Sequence, residues 1–486
     1  MKKLTDLLMC LNYECLNGNE NIHIENIVYD SKKVTKNSLF ICIKGVEYDG
    51  HNFLNEVIRQ GAVAILVQDE VELPKQVTVI KVEDTRYAMA YVSAAYFDYP
   101  ARKLKVIGVT GTKGKTTTTY MVKSILESIG YRVGLIGTIE TIIGDKSLPA
   151  KNTTPESYIL QQYLYEMVTA DIQVVVMEVS SQGLMLHRTA GILFEIGIFM
   201  NIAADHIGPG EHESFEEYIH FKGLLFKQCK IGIANIDDKN MQQVLKGHTC
   251  HLETIGFHEN ADYRATDLTL ISNAGQLGIA YNVSGKQNFN VIVNIPGKFS
   301  VYNSLTAIAI SNYFKASAEQ IQTSLKEVKV KGRIEMITAF DSFSLMIDYA
   351  HNAMSLENLL TTLREYNPNR LVVLFGCGGN RSKLRRYEMG EIAGKLADLT
   401  IITSDNPRFE EPQDIIDDIK CGIKKTTGQF VEIVDRQTAI AYAVHQSEPG
   451  DIIVLAGKGH ETYQEIKGQK YPMDERDIIT DILIKK

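Results

Sequence analysis

A chain of 486 residues with 44% apolar and 23% charged residues is too long for one ordinary core, and three domains is the working number. Its net charge of -8 carries no basic footprint, which argues against nucleic acid or an anionic membrane as the main partner. Seven cysteines, scattered without a C-x-x-C pair and odd in number, cannot all pair within one chain and best fit a reducing cytoplasm.

Near the start, Asp6 and Asn12 interrupt what would have to be a signal-peptide core. Apolar runs such as 196–200 fall far short of the roughly 18 residues that span a bilayer, so a cytoplasmic protein without membrane insertion is expected. The first hundred residues alternate strand-like runs, Ser38-Leu-Phe-Ile-Cys-Ile and Ala62-Val-Ala-Ile-Leu-Val, with helical stretches. At Tyr99-Pro-Ala-Arg-Lys the pattern breaks, and a boundary is expected near residue 102.

The next segment, Val106-Ile-Gly-Val-Thr-Gly-Thr-Lys-Gly-Lys-Thr-Thr117, sets a glycine-rich loop, a lysine and two hydroxyls between an apolar strand and a helix. That order describes a phosphate cradle. Amides freed by Gly111 and Gly114 can close on phosphate oxygens, Lys115 can neutralise the terminal phosphates, and Thr116 can hold Mg²⁺. ATP is therefore the expected ligand of Gly111, Thr112, Lys113, Gly114, Lys115, Thr116 and Thr117. The general pattern wants glycine at position 109, where this chain has valine, its glycine standing one earlier at Gly108.

Beyond the loop, the runs beginning at Tyr131, Val174 and Glu195 are continuous and apolar, as in a parallel sheet buried on both faces. Glu178 ends the second of them, where an acid can hold metal or simply cap a turn. The third runs into Asn201-Ile-Ala-Ala-Asp-His206 and puts a carboxylate and an imidazole at another strand end; alone, His206 reads as a loop histidine. Residues 215–226 look helical with Tyr218, Lys222 and Phe226 on one stripe, and by residue type Lys222 reads as a surface lysine.

A second boundary is expected near Val330-Lys-Gly-Arg-Ile-Glu335, giving domains 1–102, 103–330 and 331–486. In the last, strands beginning at Leu371, Leu399 and Asp451 recur between helices, as in a second doubly wound sheet. Their carboxyl ends carry Gly376-Cys-Gly-Gly-Asn-Arg381, Ser404-Asp-Asn-Pro-Arg408 and Ala456-Gly-Lys-Gly-His-Glu461. Asp405 to Pro407 make a sound turn by composition alone. Arg408 on such a turn can fork onto a carboxylate, with Arg381 as a second contact. The 456–461 loop offers amides and an acid for a cationic amine, and equally reads as a nucleotide loop or a plain connection.

Taken with Asn152-Thr-Thr-Pro155, Met177-Glu-Val-Ser-Ser181, Asp205-His206, Gly332-Arg-Ile-Glu335 and Asp348-Tyr-Ala-His351, these motifs make the chain resemble the Mur ligase family over essentially its whole length. The resemblance implies a three-domain α/β fold with a central P-loop sheet and a C-terminal Rossmann-like sheet. It implies an ATP-dependent amide ligase of peptidoglycan precursor synthesis that works through an acyl phosphate.

The family carries its glycine where Gly108 stands, and carbamylates the lysine matching Lys222. Glu178, His206 and carbamylated Lys222 would then bind a second Mg²⁺, and Thr116 with Glu178 the first. Lys115, Arg333 and Asp348 complete the implied catalytic set, and Asn303 would sit by adenine. Tyr29, Ser31, Val46, Glu47 and Tyr48 would cradle a UDP group; Asn152, Thr153, Thr154, Ser180 and Arg188 would hold a muramoyl peptide. Arg381, Asp405, Asn406, Pro407, Arg408, Gly457 and Glu461 would receive the incoming amino acid. In this family Asp-Asn-Pro-Arg accompanies meso-diaminopimelate, so the implied partners are that acid and UDP-N-acetylmuramoyl-L-alanyl-D-glutamate, on a monomer.

L-Lysine, another diamino acid, or a different peptide acted on by a divergent paralogue are the alternatives. Folylpolyglutamate synthesis, a binding module and a GTPase fit less well, the last for want of an Asn-Lys-x-Asp motif. Gln182, Leu186, Ala353-Met354, Tyr387 and Ile207-Gly-Pro-Gly depart from the family pattern.

Overall fold

The computed structural model describes every residue except 46, 47, 72–75, 206, 209, 274, 485 and 486. It divides into two compact units, Met1–Asp262 with Thr306–Ala316, and Tyr263–Leu305 with Ser317–Lys486. No helix among the described residues is long and apolar enough to cross a membrane.

The first unit opens with a five-stranded sheet in the order Glu14–Asn17, Thr78–Lys81, Ala62–Val67, Ser38–Ile41, Asn26–Val28, parallel except for its first strand. Alternation along these strands supplies two cores: Leu39, Ile41, Ala64, Leu66 and Ile80 join one cluster, Phe40, Cys42, Ile65, Val67 and Val79 the other. Asp84 caps the helix Thr85–Tyr96 by accepting from the amides of Arg86 and Tyr87.

A second sheet in this unit runs Lys146–Pro149, Glu140–Ile143, Val133–Ile136, Val174–Glu178, Lys105–Thr110, Phe194–Phe199, Cys229–Asn235, His251–Gly256. From Val133–Ile136 onward neighbours are parallel, as the unbroken apolar runs predict. The strand Lys105–Thr110 is central, and the chain leaves it first to one side and later to the other. That reversal opens a crevice at its carboxyl end, where the register sets Glu178 beside Val109 and Phe199 beside Thr110. The displaced glycine has a packing reason: a Cβ on Gly108 would lie 2.8 Å from the Phe194 ring.

The second unit holds an antiparallel run, Tyr263–Asn273, Gln276–Gly285 and Phe289–Val293, that the sequence reading did not anticipate. Its six-stranded sheet is ordered Glu335–Ile337, Ser344–Asp348, Ile452–Ala456, Leu371–Phe375, Leu399–Ile402, Gln429–Glu432, parallel except for the first. Helices Lys383–Leu396 and Pro412–Ile423 meet closely on it, and a Cβ on Gly422 would lie 2.0 Å from the Tyr387 carbonyl oxygen. Gly422→Ala is therefore expected to cost about 1–3 kcal/mol by overpacking, read as a lower thermal midpoint.

Candidate active site

The phosphate loop is held in shape by its own residues and by its neighbours. Gly114, at φ +88°, caps the helix Lys115–Ser128 in a left-handed conformation that only glycine adopts without strain. Asn201 latches the loop from the neighbouring strand end: its Oδ1 accepts from the Lys113 amide at 2.9 Å and its Nδ2 donates to the Lys113 carbonyl at 3.0 Å. Thr112 accepts from the Ala203 amide at 3.1 Å and lies 3.1 Å from the Tyr218 hydroxyl. The Lys115 ammonium folds over the loop, donating to the carbonyls of Gly111 at 2.9 Å and Thr112 at 3.2 Å.

Lys222 corrects the reading by residue type. It is 1% exposed and donates to the same Gly111 carbonyl at 3.0 Å. The helix Phe215–Gly223 turns it inward on the stripe of Tyr218, whose ring centroid lies 4.5 Å from Nζ. Burial first, then the charge of Lys115, drives the Lys222 amine well below its usual pKa, against the opposing pull of Asp205.

Glu178, also 1% exposed, receives only neutral donors. Its Oε1 accepts from the Thr116 hydroxyl and the Thr138 amide, both at 2.9 Å, and its Oε2 from the Thr138 hydroxyl at 3.0 Å. A Cβ on Gly137 would lie 2.5 Å from that Oε1, so the glycine lets the carboxylate in. A buried carboxylate bonded only to neutral groups, with a hydroxyl beside the phosphate loop, is the hard-oxygen donor set that Mg²⁺ prefers. His206 lies outside the described residues. The metal-capable trio among those residues, Asp49, His51 and Asp69, has both imidazole nitrogens engaged, by Asp49 and by the Gln68 amide, and Lys44 on Asp69.

A cavity of about 300 Å³ opens beside Lys115 and is lined by Asn152, Thr153, Ser180 and Arg188 of the expected substrate set. Thr154 stands behind it, its hydroxyl donating to the Glu178 carbonyl at 3.0 Å and accepting from the Ser180 amide at 2.9 Å. Arg188 spends its two terminal nitrogens on the Thr154 carbonyl and Glu156, while its buried Nε has no hydrogen-bond partner among the described residues. The sequence reading missed Thr138, Lys151 and His212 on the same wall. Thr138 carried a usable signal, a hydroxyl just past the carboxyl end of a parallel strand. His212, 1% exposed with Nε2 2.8 Å from the Ser181 hydroxyl, sits on an irregular loop that offered none.

Of the expected uridine residues, Tyr29 lies 6.2 Å from the Tyr158 ring, and burial raises its phenol above the usual range. Ser31 begins a short turn capped by Asp30, and Tyr48 is exposed. Val46 and Glu47 lie outside the described residues.

In the second unit, Asn303 is buried and its Nδ2 donor has no partner among the described residues, which suits a purine nitrogen. Asp348 accepts from the amides of Ile334 and Ala350, both at 2.8 Å, while burial raises its carboxyl above the usual range against the Arg333 guanidinium. Arg333 itself stacks 4.8 Å over the Tyr349 ring.

The three C-terminal loops interlock. A Cβ on Gly379 would lie 1.9 Å from the Pro407 carbonyl oxygen, and the Gly379 amide donates to the Asn406 carbonyl at 2.9 Å. Arg408 donates through Nη1 to the Gly379 carbonyl at 2.8 Å and through Nε to Glu465 at 3.2 Å. Arg381 is exposed, and a Cβ on Gly378 would meet both arginines, at 3.9 and 3.8 Å. Gly457, at φ +105°, turns the third loop so closely that a Cβ there would lie 2.8 Å from the Asp405 carboxylate. Asn406 donates to Glu461 at 2.9 Å. From beneath, buried Arg436 pairs with Glu475 at 2.8 Å and donates to the Ala456 carbonyl at 3.0 Å. The three loops thus carry side chains of both charges, Arg381 and Arg408 with Asp405 and Glu461, a combination that can meet a zwitterion.

Family models cover most of the chain: "Mur ligase family, catalytic domain" matches 23–103, "Mur ligase middle domain" 109–311 and "Mur ligase, glutamate ligase domain" 332–459. Among curated proteins, a UDP-N-acetylmuramoyl-L-alanyl-D-glutamate--2,6-diaminopimelate ligase of Clostridium perfringens is 42% identical over 487 residues, covering 99% of both chains. The like-named ligase 1 of Clostridium acetobutylicum is 44% identical with the same coverage. A solved structure of an enzyme of that name superposes with TM-score 0.71 at 28% identity, covering 95% of each chain.

Proposed function

We propose, from the premise that the chain belongs to the Mur ligase family, that it is the ATP-dependent ligase joining meso-diaminopimelate to UDP-N-acetylmuramoyl-L-alanyl-D-glutamate. The single observation that carries the choice of amino acid is that three interlocked loops bring together Arg381 and Arg408 on the one hand and Asp405 and Glu461 on the other. An acid with a carboxylate and an ammonium at its far end needs both signs of charge there. The relatives named for this reaction support the reading. Glu465, at 3.2 Å from Arg408 Nε, partly occupies the fork and favours L-lysine as the second reading.

In the reaction, an oxygen of the donor carboxylate forms a bond to the γ-phosphorus of ATP, and the bond from that phosphorus to the bridging oxygen breaks, releasing ADP. The amine then attacks the acyl carbon, loses a proton, and expels phosphate to leave the amide. Anion meets anion in the first step, so positive charge must be in place beforehand. Lys115, folded over the loop, supplies it together with the loop amides, and Arg188 holds the donor from the cavity wall. Mg²⁺, held by Thr116 and Glu178 and at a second position by Glu178, His206 and carbamylated Lys222, would neutralise phosphate oxygens. A neutral amine buried against a peptide carbonyl is the form of Lys222 that takes up carbon dioxide.

The three-domain division at residues 102 and 330 and the monomeric state belong to the same proposal, as does a cytoplasmic location, where ATP and nucleotide-linked sugars are available. Phosphate release is expected to require the UDP-dipeptide and the diamino acid together. Release that continues at the same rate with either omitted would reject the reading.

A further inference from the structure

Lys458 was given no role by its sequence, yet it is completely buried at the centre of the amino-acid site. Gly457 and Gly459 flank it at φ +105° and +51°, so the loop reverses on both sides and delivers its side chain inward. Its ammonium donates to Asn406 Oδ1 at 2.8 Å and to Glu461 Oε2 at 3.0 Å, with Asp405 Oδ1 at 3.8 Å and the Tyr463 ring at 5.4 Å. A buried ammonium persists only where acceptors surround it, and here they come from two of the interlocked loops.

The charge count is the point. Asp405 and Glu461 alone would set two negative charges side by side; Lys458 between them leaves one. One is the charge that a single ammonium of an incoming amino acid cancels. Asn406 cannot perform this task, because its Oδ1 is taken by Lys458 and the Glu465 amide, and its Nδ2 by Glu461.

We infer that Lys458 is a positioning residue, an internal counter-ion that aims Glu461 and leaves the Asp405–Glu461 pair with one net negative charge, so that one substrate ammonium binds between Asp405 and the free edge of Glu461. The inference rests on the amino-acid site described under the proposed function.

The test is a kinetic cycle on the full chain with Lys458→Met, Glu461→Gln and the double variant, varying the diamino acid at saturating ATP and UDP-dipeptide. Lys458→Met should raise KM for the diamino acid about 30-fold or more, as for a truncated partner of a buried charge pair. Its kcat and its KM for ATP should stay within about threefold of the wild type, the split expected when only substrate binding is lost. Added to Glu461→Gln, the same change should cost less than about threefold, because the charge it balances is already gone. Lys458→Gln, which keeps a hydrogen bond but no charge, should behave as Lys458→Met does, and it decides the case if the methionine variant does not fold.

An equal penalty in both backgrounds, a loss spread over all three substrates, or an unchanged KM would overturn the inference. If the wild type rejects diaminopimelate, the substrate reading fails, and the cycle run with the amino acid it does accept decides the role of Lys458.

Discussion

Replacing Lys222 by alanine is expected to lower kcat by about 10²–10³-fold or more, the usual loss when one preorganised electrostatic group is removed from a charge-developing site. The expectation follows from position. Lys222 lies at 1% exposure with its amine 3.0 Å from the Gly111 carbonyl, the same carbonyl that Lys115 engages at 2.9 Å. Two lysines on one peptide oxygen make sense if one of them carries its charge to the phosphates and the other is converted to a carbamate. Intact-protein mass spectra of the wild type in bicarbonate should then show a labile carbamate that the alanine variant lacks. A variant with kcat within about threefold of the wild type would remove Lys222 from the catalytic set, since no barrier of consequence would have been lost.

Arg408→Ala is expected to raise KM for meso-diaminopimelate by about 100-fold, because the proposed charge-assisted contact to the far carboxylate would be lost. The loop should survive the change. The backbone of Arg408 is held at its own amide by the Glu465 carbonyl at 3.0 Å, and its carbonyl accepts from the Lys467 amide at 2.6 Å. Its φ of +53° is strained for arginine and alanine alike, so the substitution adds no new backbone cost. Arg408→Lys should recover little, since an ammonium cannot form the fork. KM for L-lysine, which has no far carboxylate, should hardly move; if it rises as much as that for diaminopimelate, the arginine serves the loop and not the ligand.

Much of this was legible in the sequence where a single residue type has a single physical reason to stand in its place. The parallel strands of both units declared themselves as unbroken apolar runs ended by glycine or acid. The run from Leu277 to Val283 carried a signal that went unread: Leu277, Ile279, Tyr281 and Val283 alternate with smaller or polar residues, and all four are buried in an antiparallel ladder. Gly108 looked like a fault in a phosphate loop and is a strand glycine making room for Phe194.

By residue type alone, Lys222 and Lys458 were illegible for a common reason. A lysine is nearly always solvated, and nothing local distinguishes one whose burial depends on an acceptor from a distant loop, Gly111 for Lys222 and Asn406 for Lys458. Of the departures from the family pattern, two have accounts. Ala353 opens a helix capped by Asn352, whose side chain accepts from the Ser355 amide at 2.9 Å. Tyr387 uses its hydroxyl to donate to Asp418 at 3.3 Å. Nothing in the structure explains Leu186.

The most direct test of the central claim offers the purified enzyme ATP, Mg²⁺ and UDP-N-acetylmuramoyl-L-alanyl-D-glutamate with equal concentrations of meso-diaminopimelate, L-lysine and L-ornithine, and weighs the product. The account predicts the diaminopimelate adduct as the dominant species. A dominant lysine or ornithine adduct, or no amide product while ATP is consumed, would contradict it.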